Sequence, residues 1–344
     1  MTAFVMATGC APVIVGEGPT IAKPSLTANE IVTRDGARLP LRRWDAAGHP
    51  KAIILGLHGF NDYSKSFTEP AKAWTRAGLS VYAYDQRGFG AAPGWGYWHG
   101  AKTLADDLSD ASRLIRARHP DVPLFLVGES MGAAVILAAD AGPTPPSADG
   151  YVLSAPAVWS RKAMPFYQRA ALWIGAHTTP WLRLTGRGLN IRASDNNEML
   201  RKLGRDPLVI KGARVDALYG LTNLMDRAHA AAAKLKTPTL ILYGDDEQLI
   251  PAPARETFLA QLPRDGQWRY GEYPTGFHML MRDLNADVVL RDIAAWAMDN
   301  NAALPSGADQ AKGAQRWARA PCPALHLNSQ PRPKPKPVQM ALAC

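Results

Sequence analysis

Short apolar runs alternate along the chain with longer segments in which apolar residues recur at helical spacing. Eight runs have the length and composition of β-strands, and they cover residues 29–34, 39–44, 51–57, 79–84, 123–128, 149–154, 238–243 and 267–273. Residues 52–58 and 239–244 are almost continuously apolar. Because such runs are typical of parallel strands that are covered on both faces, the pattern predicts a buried and mostly parallel sheet.

Segments with helical periodicity lie between these strands, at about residues 67–77, 102–118, 130–141, 252–262 and 285–298. The first two strands alternate apolar and polar residues and are joined by Asp35-Gly36, which is typical of a hairpin. Strands that alternate with helices indicate the α/β class. The pattern therefore predicts a doubly wound, mostly parallel eight-stranded sheet flanked by helices.

One long segment breaks the alternation of strands and helices. Residues 156–236 contain no convincing strand pattern, and they combine helical stretches with scattered aromatic residues (Trp159, Phe166, Tyr167, Trp173 and Trp181). A segment of this length is too long for a simple connection. We therefore predict a helical cap at 156–236, inserted between a first core part at 28–155 and a second at 237–300, with separate terminal segments at 1–27 and 301–344.

Composition limits the classes of function. The chain has 344 residues with 47% apolar content and no apolar run long enough to span a bilayer. The formal net charge is +9, but the last 44 residues alone hold six Lys or Arg and one acid. No basic stripe with interleaved aromatic residues is present, so a nucleic-acid partner is not expected. The three cysteines (Cys10, Cys322 and Cys344) lie near the ends, which excludes a disulfide framework in the body.

The two ends have distinctive compositions. Residues 7–10, Ala-Thr-Gly-Cys, are similar to the cleavage box of bacterial lipoproteins, in which the cysteine becomes lipidated. This similarity predicts a lipid anchor on Cys10, membrane attachment and a location in the bacterial cell envelope. The positively charged start of a secretory signal is missing, so a cytoplasmic enzyme is the alternative. At the other end, residues 331–339 place proline at alternate positions, which predicts a disordered basic tail.

The most informative stretch is LFLVGESMGAAVIL, residues 124–137, in which a strand pattern passes into a helix pattern at Gly-Glu-Ser-Met-Gly. A G-x-S-x-G sequence at such a junction is typical of a strained turn that exposes the serine hydroxyl above the sheet. Ser130 is therefore the candidate nucleophile. This motif arises by chance in roughly one chain in ten of this length, so the interpretation requires a base, an acid and oxyanion donors elsewhere.

The base and the oxyanion donors have clear candidates. Of the eight histidines, His278 alone lies between the last predicted strand and the last predicted helix, where a loop side chain can reach the serine. His58-Gly59-Phe60 follows the third strand, and this loop can bring a backbone N–H to the top of the sheet. We predict that the N–H groups of Phe60 and Met131 form the oxyanion hole.

Sequence position alone does not identify the acid of the triad. Asp245, Asp246 and Glu247 all follow the strand TLILYG, and a short loop there can direct any of the three carboxylates toward the histidine. A triad needs only one of them, because a single acid orients the imidazole and stabilises its charged form.

Four segments in this order, HGFND, GESMG, YGDDEQLIP and GFHMLMRD, resemble the monoacylglycerol lipase/lysophospholipase branch of the α/β-hydrolase superfamily, which is also named serine aminopeptidase-like. The resemblance covers residues 28–298. That branch commonly reads Gly-x-x-Asp-x-x-(Val/Ile)-Pro after its penultimate strand, and alignment on Gly244 and Pro251 places Glu247 at the acid position. Glutamate replaces the usual aspartate, and Asp246 is the alternative acid.

The resemblance implies a serine hydrolase that cleaves carboxylic esters, of monoacylglycerol or lysophospholipid type, with no cofactor and no metal. Candidate substrate contacts are His58, Gly59, Trp159 and Phe277. A peptidase of the serine aminopeptidase type is the first alternative, although the basic cap offers no acidic patch for a substrate amino group. A binding protein with a hydrolase fold and a disabled triad is the alternative from another class.

Overall fold

The structure is a computed structural model that describes residues 11–186, 188 and 190–317. The predictions for Cys10 and for the proline-rich segment fall outside these residues. The strands are β1 Ser25–Leu26, β2 Glu30–Val32, β3 Arg38–Trp44, β4 Ala52–Leu57, β5 Leu79–Tyr84, β6 Leu124–Glu129, β7 Gly150–Ser154, β8 Arg183–Leu184, β9 Ala213–Arg214, β10 Thr239–Gly244 and β11 Trp268–Tyr273. The α-helices are α1 Thr68–Arg76, α2 Ala101–Arg118, α3 Met131–Asp140, α4 Phe166–Thr178, α5 Asn197–Arg205, α6 Val215–Ala231, α7 Ala252–Gln261, α8 Ala286–Met298 and α9 Lys312–Gln315.

A twisted nine-stranded sheet forms the centre of the described chain, in the order β1-β2-β3-β5-β4-β6-β7-β10-β11. The six strands from β5 to β11 in that order are parallel, and β1, β2 and β3 pair antiparallel at one edge. All eight predicted strands are present. The prediction of eight strands is short by one, because β1 has only two residues and therefore carries no alternating pattern.

The predicted hairpin joins β2 and β3, and Gly36 in its turn has a φ of +79°. The central strands β4, β5, β6, β7 and β10 are buried along their whole lengths, which explains their continuous apolar sequences. Helices cover both faces of the sheet. On one face α2, α3, α6 and α7 pack together, and on the other α1 and α8 do so.

The predicted cap at 156–236 has two parts. Helix α6 packs on α3 within the main helical layer, with Leu224 and Ala228 fully buried. Helices α4 and α5 are the exposed part, since α4 buries only Ala176 and α5 buries no residue. The expectation that this segment lacks strands was wrong in one detail, because β8 and β9 form a short antiparallel ribbon. Two-residue strands are too short to leave a recognisable sequence pattern.

The end of the body lies beyond residue 300, where the disordered tail was predicted to begin. Leu304, Ala308 and Ala314 are buried, and Ser306 N–H donates to Asp292 Oδ1 at 3.0 Å. Residues 301–317 therefore pack against β11 and α8, and the predicted segment 301–344 is corrected at its start. Within the described residues, no helix is both long and apolar enough to cross a membrane.

Candidate active site

Ser130 lies at the sharp turn between β6 and α3, where its backbone has φ 52° and ψ −109°. This conformation is strained for a residue with a Cβ. Flanking bonds hold it in place: Ser130 N–H donates to Ser154 O at 2.9 Å, and Ala157 N–H donates to Ser130 O at 3.1 Å. The side chain is only partly buried. The turn therefore presents the Ser130 hydroxyl at the carboxyl edge of the sheet.

The two glycines of the motif are required by close packing. A Cβ on Gly128 would clash with the backbone nitrogen of Ala133, and a Cβ on Gly132 would clash with the carbonyl of Leu57. The strand, the turn and the helix can therefore approach this closely only when both positions lack a side chain. This requirement explains the spacing of G-x-S-x-G in physical terms.

The loop after β4 passes beside the serine. A Cβ built on Gly59 would lie 3.6 Å from Ser130 Cβ, an ordinary van der Waals distance, so the backbone of this loop runs close to the candidate nucleophile. Met131 is the first residue of α3, and an N–H at this position has no acceptor within its own helix. Within the described residues, neither Phe60 N–H nor Met131 N–H donates to a protein acceptor. Both remain free for an oxyanion.

His278 and Glu247 form a buried pair. His278 Nδ1 and Glu247 Oε2 are 2.7 Å apart, and the side chains are 4% and 0% exposed. The other carboxylate oxygen, Oε1, accepts the N–H of Leu249 at 2.6 Å and that of Ile250 at 3.1 Å. Burial raises the pKa of Glu247, but the His278 charge and these hydrogen bonds lower it more. The net result is a pKa below its usual value, so Glu247 is held as a carboxylate.

The other candidate acids are exposed to solvent. Asp245 and Asp246 are exposed, whereas Glu247 is buried. The acid loop is held to the histidine loop by backbone contacts, since Asp246 N–H donates to Gly276 O at 3.0 Å. A Cβ on Gly244 would clash with that same Gly276 carbonyl. This close approach of two glycines brings the acid and histidine loops together.

Ser130 Oγ and His278 Nε2 are not joined by any hydrogen bond among the described residues. Such bonds are often long before substrate binds. Their loops are nevertheless linked, because Glu129, which precedes Ser130, accepts from Arg282 Nη2 at 2.6 Å. The structure therefore brings the predicted nucleophile and base to one edge of the sheet.

Arg282 connects three loops of the site and was not found from the sequence. Its guanidinium donates to Asp62 Oδ2 at 2.7 Å and to Glu129 Oε1 at 2.6 Å, and all three side chains are at most 7% exposed. Burial lowers the pKa of Arg282, but the two carboxylates raise it more, so the pKa lies above its usual value. The sequence offered one indication of this cluster, since each of the three residues lies within four residues of a predicted site residue.

The predicted substrate contact at His58 is corrected. The ring is fully buried, Nδ1 bonds to Gly59 O at 2.8 Å, and Nε2 accepts Gln86 N–H at 3.0 Å. Burial lowers the pKa of His58, so the ring is neutral. His58 thus holds its loop in place and does not face a substrate. Gly59 has no side chain, so only its backbone, which runs beside Ser130, could contact a substrate.

The other two predicted contacts are apolar side chains at the edge of the site. Trp159 is partly buried against the main hydrophobic core. Phe277 is 8% exposed and has the guanidinium of Arg192 at 5.1 Å from its ring centroid. A cavity of about 470 Å³ lies between α1 and α5 and reaches Asp62 and Arg282, but Ser130 and His278 do not line it.

No group of three or more His, Cys, Asp or Glu side chains in the described part of the chain could hold a metal ion. Ser130, the His278–Glu247 pair and the free N–H groups of Phe60 and Met131 lie at this edge of the sheet. Such an arrangement can perform nucleophilic acyl transfer.

The family described as Serine aminopeptidase, S33 (Hydrolase_4) matches residues 48–285. The chain belongs to this family. Among curated relatives, the monoglyceride lipase of Mus musculus is 29% identical over 289 residues, which cover 80% of this chain and 92% of the mouse protein. The monoacylglycerol lipase of Mycolicibacterium smegmatis is 24% identical over 270 residues, which cover 77% of this chain and 94% of that protein.

The fold is shared with solved structures. A soluble variant of monoglyceride lipase from Saccharomyces cerevisiae, in complex with a substrate analog, covers 82% of this chain and 99% of its own, with a TM-score of 0.66 and 20% identity. The monoacylglycerol lipase of Paleococcus ferrophilus covers 76% of this chain with a TM-score of 0.59. The predicted α/β-hydrolase fold, the predicted branch and the prediction of an ester-hydrolysing enzyme are confirmed.

Proposed function

We propose that this chain is a serine hydrolase that cleaves lipid carboxylic esters of the monoacylglycerol or lysophospholipid type. One observation carries the proposal: the buried contact of 2.7 Å between His278 Nδ1 and Glu247 Oε2, at the same sheet edge as the strained Ser130 turn. This contact supplies the oriented base that a serine hydroxyl needs near neutral pH.

The reaction follows from the positions of these groups. Ser130 Oγ attacks the ester carbonyl carbon while His278 Nε2 takes the hydroxyl proton. Glu247 accepts the Nδ1–H bond and stabilises the imidazolium. The N–H groups of Phe60 and Met131 bind the oxyanion, and the leaving alcohol takes the proton from His278.

The second half of the reaction regenerates the enzyme. Water attacks the acyl-Ser130 carbonyl, and His278 accepts the proton of that water. The acid product leaves as the proton returns to Ser130 Oγ. Atoms balance: one ester and one water give one alcohol and one carboxylic acid.

The cap supports an apolar substrate. Helix α4 and the segment after it expose large apolar side chains, which are Phe166, Tyr167, Trp173, Ile174, Trp181, Leu182, Leu184 and Ile191. Exposed apolar patches of this kind mark lipid or protein contacts. The predicted cap also holds fourteen Lys or Arg and five Asp or Glu, which favours an anionic lipid surface. The predicted lipidation of Cys10, with attachment to the cell envelope, would hold the enzyme beside such lipids.

A substrate panel tests this proposal. Purified enzyme is assayed on 1-monoacylglycerol, a lysophospholipid, p-nitrophenyl esters of graded chain length and an aminoacyl-nitroanilide, with Ser130→Ala in parallel. We expect turnover of the esters, a preference for medium or long acyl chains and no turnover by Ser130→Ala. Turnover of the nitroanilide without any ester would instead establish the peptidase that the family description names. Absence of any turnover, with no labelling by a serine probe, would favour a binding protein.

A further inference from the structure

The loop that carries His278 is bound to a short segment of the cap. This segment, residues 192–196, connects the β8 region to α5. Four hydrogen bonds join it to the histidine loop: Met279 N–H to Ala193 O at 3.0 Å, Ser194 Oγ to Asp283 Oδ1 at 2.6 Å, Leu284 N–H to Asp195 Oδ1 at 2.8 Å, and Asn196 Nδ2 to Arg282 O at 3.1 Å.

Asp283 is the residue of this contact that binds the backbone directly before His278. Its Oδ2 accepts Phe277 N–H at 2.8 Å, and Phe277 directly precedes His278. Its Oδ1 accepts the Ser194 hydroxyl. Asp283 is 6% exposed and Ser194 is fully buried. One carboxylate thus connects the cap with the backbone that positions His278.

The contact continues into the cap helix. Asn196 is the N-cap of α5, since its Oδ1 accepts Met199 N–H at 3.1 Å. The same Asn196 side chain donates to Arg282 O. A residue that starts a helix and also binds the histidine loop fixes the helix relative to that loop. The position of α5 and the position of the base are therefore set together.

We infer that Asp283 and Ser194 are positioning residues for His278. Through them, the position of the cap segment 192–196 affects the position of the catalytic base. The inference rests on the proposed function. Loss of Asp283 frees Phe277 N–H and removes the cap contact, so His278 loses the restraint on its backbone. A misplacement of about 1 Å in a catalytic group costs on the order of 10²-fold in rate.

The test compares single variants on p-nitrophenyl butyrate, a small ester that makes little use of the cap. We expect Asp283→Ala to lower kcat by about 10²-fold while KM changes by less than about threefold. Asp283→Asn should recover most of the loss, because its carbonyl still accepts Phe277 N–H and its amide donates to Ser194. Ser194→Ala should lose about two- to tenfold, because the bond from Asp283 to Phe277 remains.

A double-mutant cycle with His278→Ala distinguishes a positioning role of Asp283 from a role in stability alone. Groups that act through one another are non-additive, so Asp283→Ala should change the residual rate of His278→Ala by less than about twofold. Asp140→Ala is the matched control. Asp140 accepts from Tyr151 and Thr237 at the far end of α3, and its loss should reduce stability without lowering kcat.

Three outcomes would overturn the inference: an unchanged kcat in Asp283→Ala, equal damage from Asp283→Asn and Asp283→Ala, or a further drop of about 10²-fold in the His278→Ala background. Failure of the proposed function has a different signature. In that case the wild-type enzyme would hydrolyse no ester, or Ser130→Ala and His278→Ala would retain its rate, whatever Asp283→Ala does.

Discussion

At the scale of single residues, Glu247 shows how a glutamate can contact the histidine from a position where the resembled branch usually has aspartate. Its Oε2 contacts His278 while Oε1 accepts two backbone N–H groups of its own loop. These bonds hold the Glu247 carboxylate between its own loop and His278. The neighbouring Asp246 uses its N–H to bind the histidine loop and leaves its carboxylate in solvent.

This difference predicts the effects of two matched substitutions. Glu247→Gln should lower kcat on p-nitrophenyl butyrate by about 10³- to 10⁴-fold, because the amide stabilises neither the required tautomer nor the imidazolium. Asp246→Asn, which is equally conservative, should stay within about twofold of wild type. Steady-state kinetics at pH 7 to 8 decide the matter. A large loss in Asp246→Asn with full activity in Glu247→Gln would assign the acid to the alternative position.

The sequence predicted the positions of the candidate nucleophile and base better than the contacts that support them. Ser130 and His278 could be placed at one edge of the sheet because each follows a predicted strand and precedes a predicted helix. Arg282 was missed because its partners Asp62 and Glu129 lie 220 and 153 residues away along the chain. The order of strands in the sheet brings such distant residues together, and that order cannot be read from a single sequence. His58 was misassigned for the same reason, since its partner Gln86 lies on another loop.

At the scale of elements, continuous apolar runs identified the buried strands, whereas the shortest strands were not predicted. Strands β1, β8 and β9 have two residues each, and a period of two cannot show itself in so few positions. Residues 301–317 were assigned to the tail because they lack periodicity. They are ordered by specific contacts, such as Ser306 with Asp292.

The exposed apolar side chains of helix α4 lead to a prediction about how the enzyme takes up lipid substrate. Phe166 and Ile174 are 74% and 53% exposed. If they contact lipid, Phe166→Ser and Ile174→Ser should each lower kcat/KM on vesicle-borne monoacylglycerol by about tenfold, since burying one such side chain contributes about 1.5–3 kcal/mol. Turnover of soluble p-nitrophenyl butyrate should change by less than about twofold, because the catalytic groups are untouched.

Ile21→Ser is the matched control for α4. Ile21 is 73% exposed but lies in the N-terminal segment before β1, so its loss should affect neither assay. Equal losses on soluble and vesicle-borne substrate would contradict a lipid-contact role for α4, and so would an equal effect of the Ile21 substitution.

At the scale of the whole molecule, buried histidines make stability depend on pH. Burial and the charge of Arg87 together lower the pKa of His99 to about 4. In the unfolded chain the same ring titrates near its ordinary value of 6.5. The unfolded state therefore binds more protons between these pH values, and the contribution of His99 to stability falls as pH decreases from 6.5 toward 4.

The effect is measured by urea unfolding at pH 7 and pH 4.5. His99 should contribute a loss of about 2–3 kcal/mol in the free energy of unfolding over this interval. His99→Gln removes the titrating group, so the loss should be smaller in the variant by that amount. Equal pH dependence of wild type and variant would show that His99 does not resist protonation in the folded state.

Reaction with a fluorophosphonate probe measures whether Ser130 is an activated nucleophile. Intact-mass and peptide-mass analysis should find one adduct per chain, located on Ser130. Ser130→Ala should remain unlabelled, and His278→Ala should react far more slowly, because the hydroxyl then lacks its base. An unlabelled wild-type enzyme, or an adduct on another residue, would show that Ser130 is not an activated nucleophile.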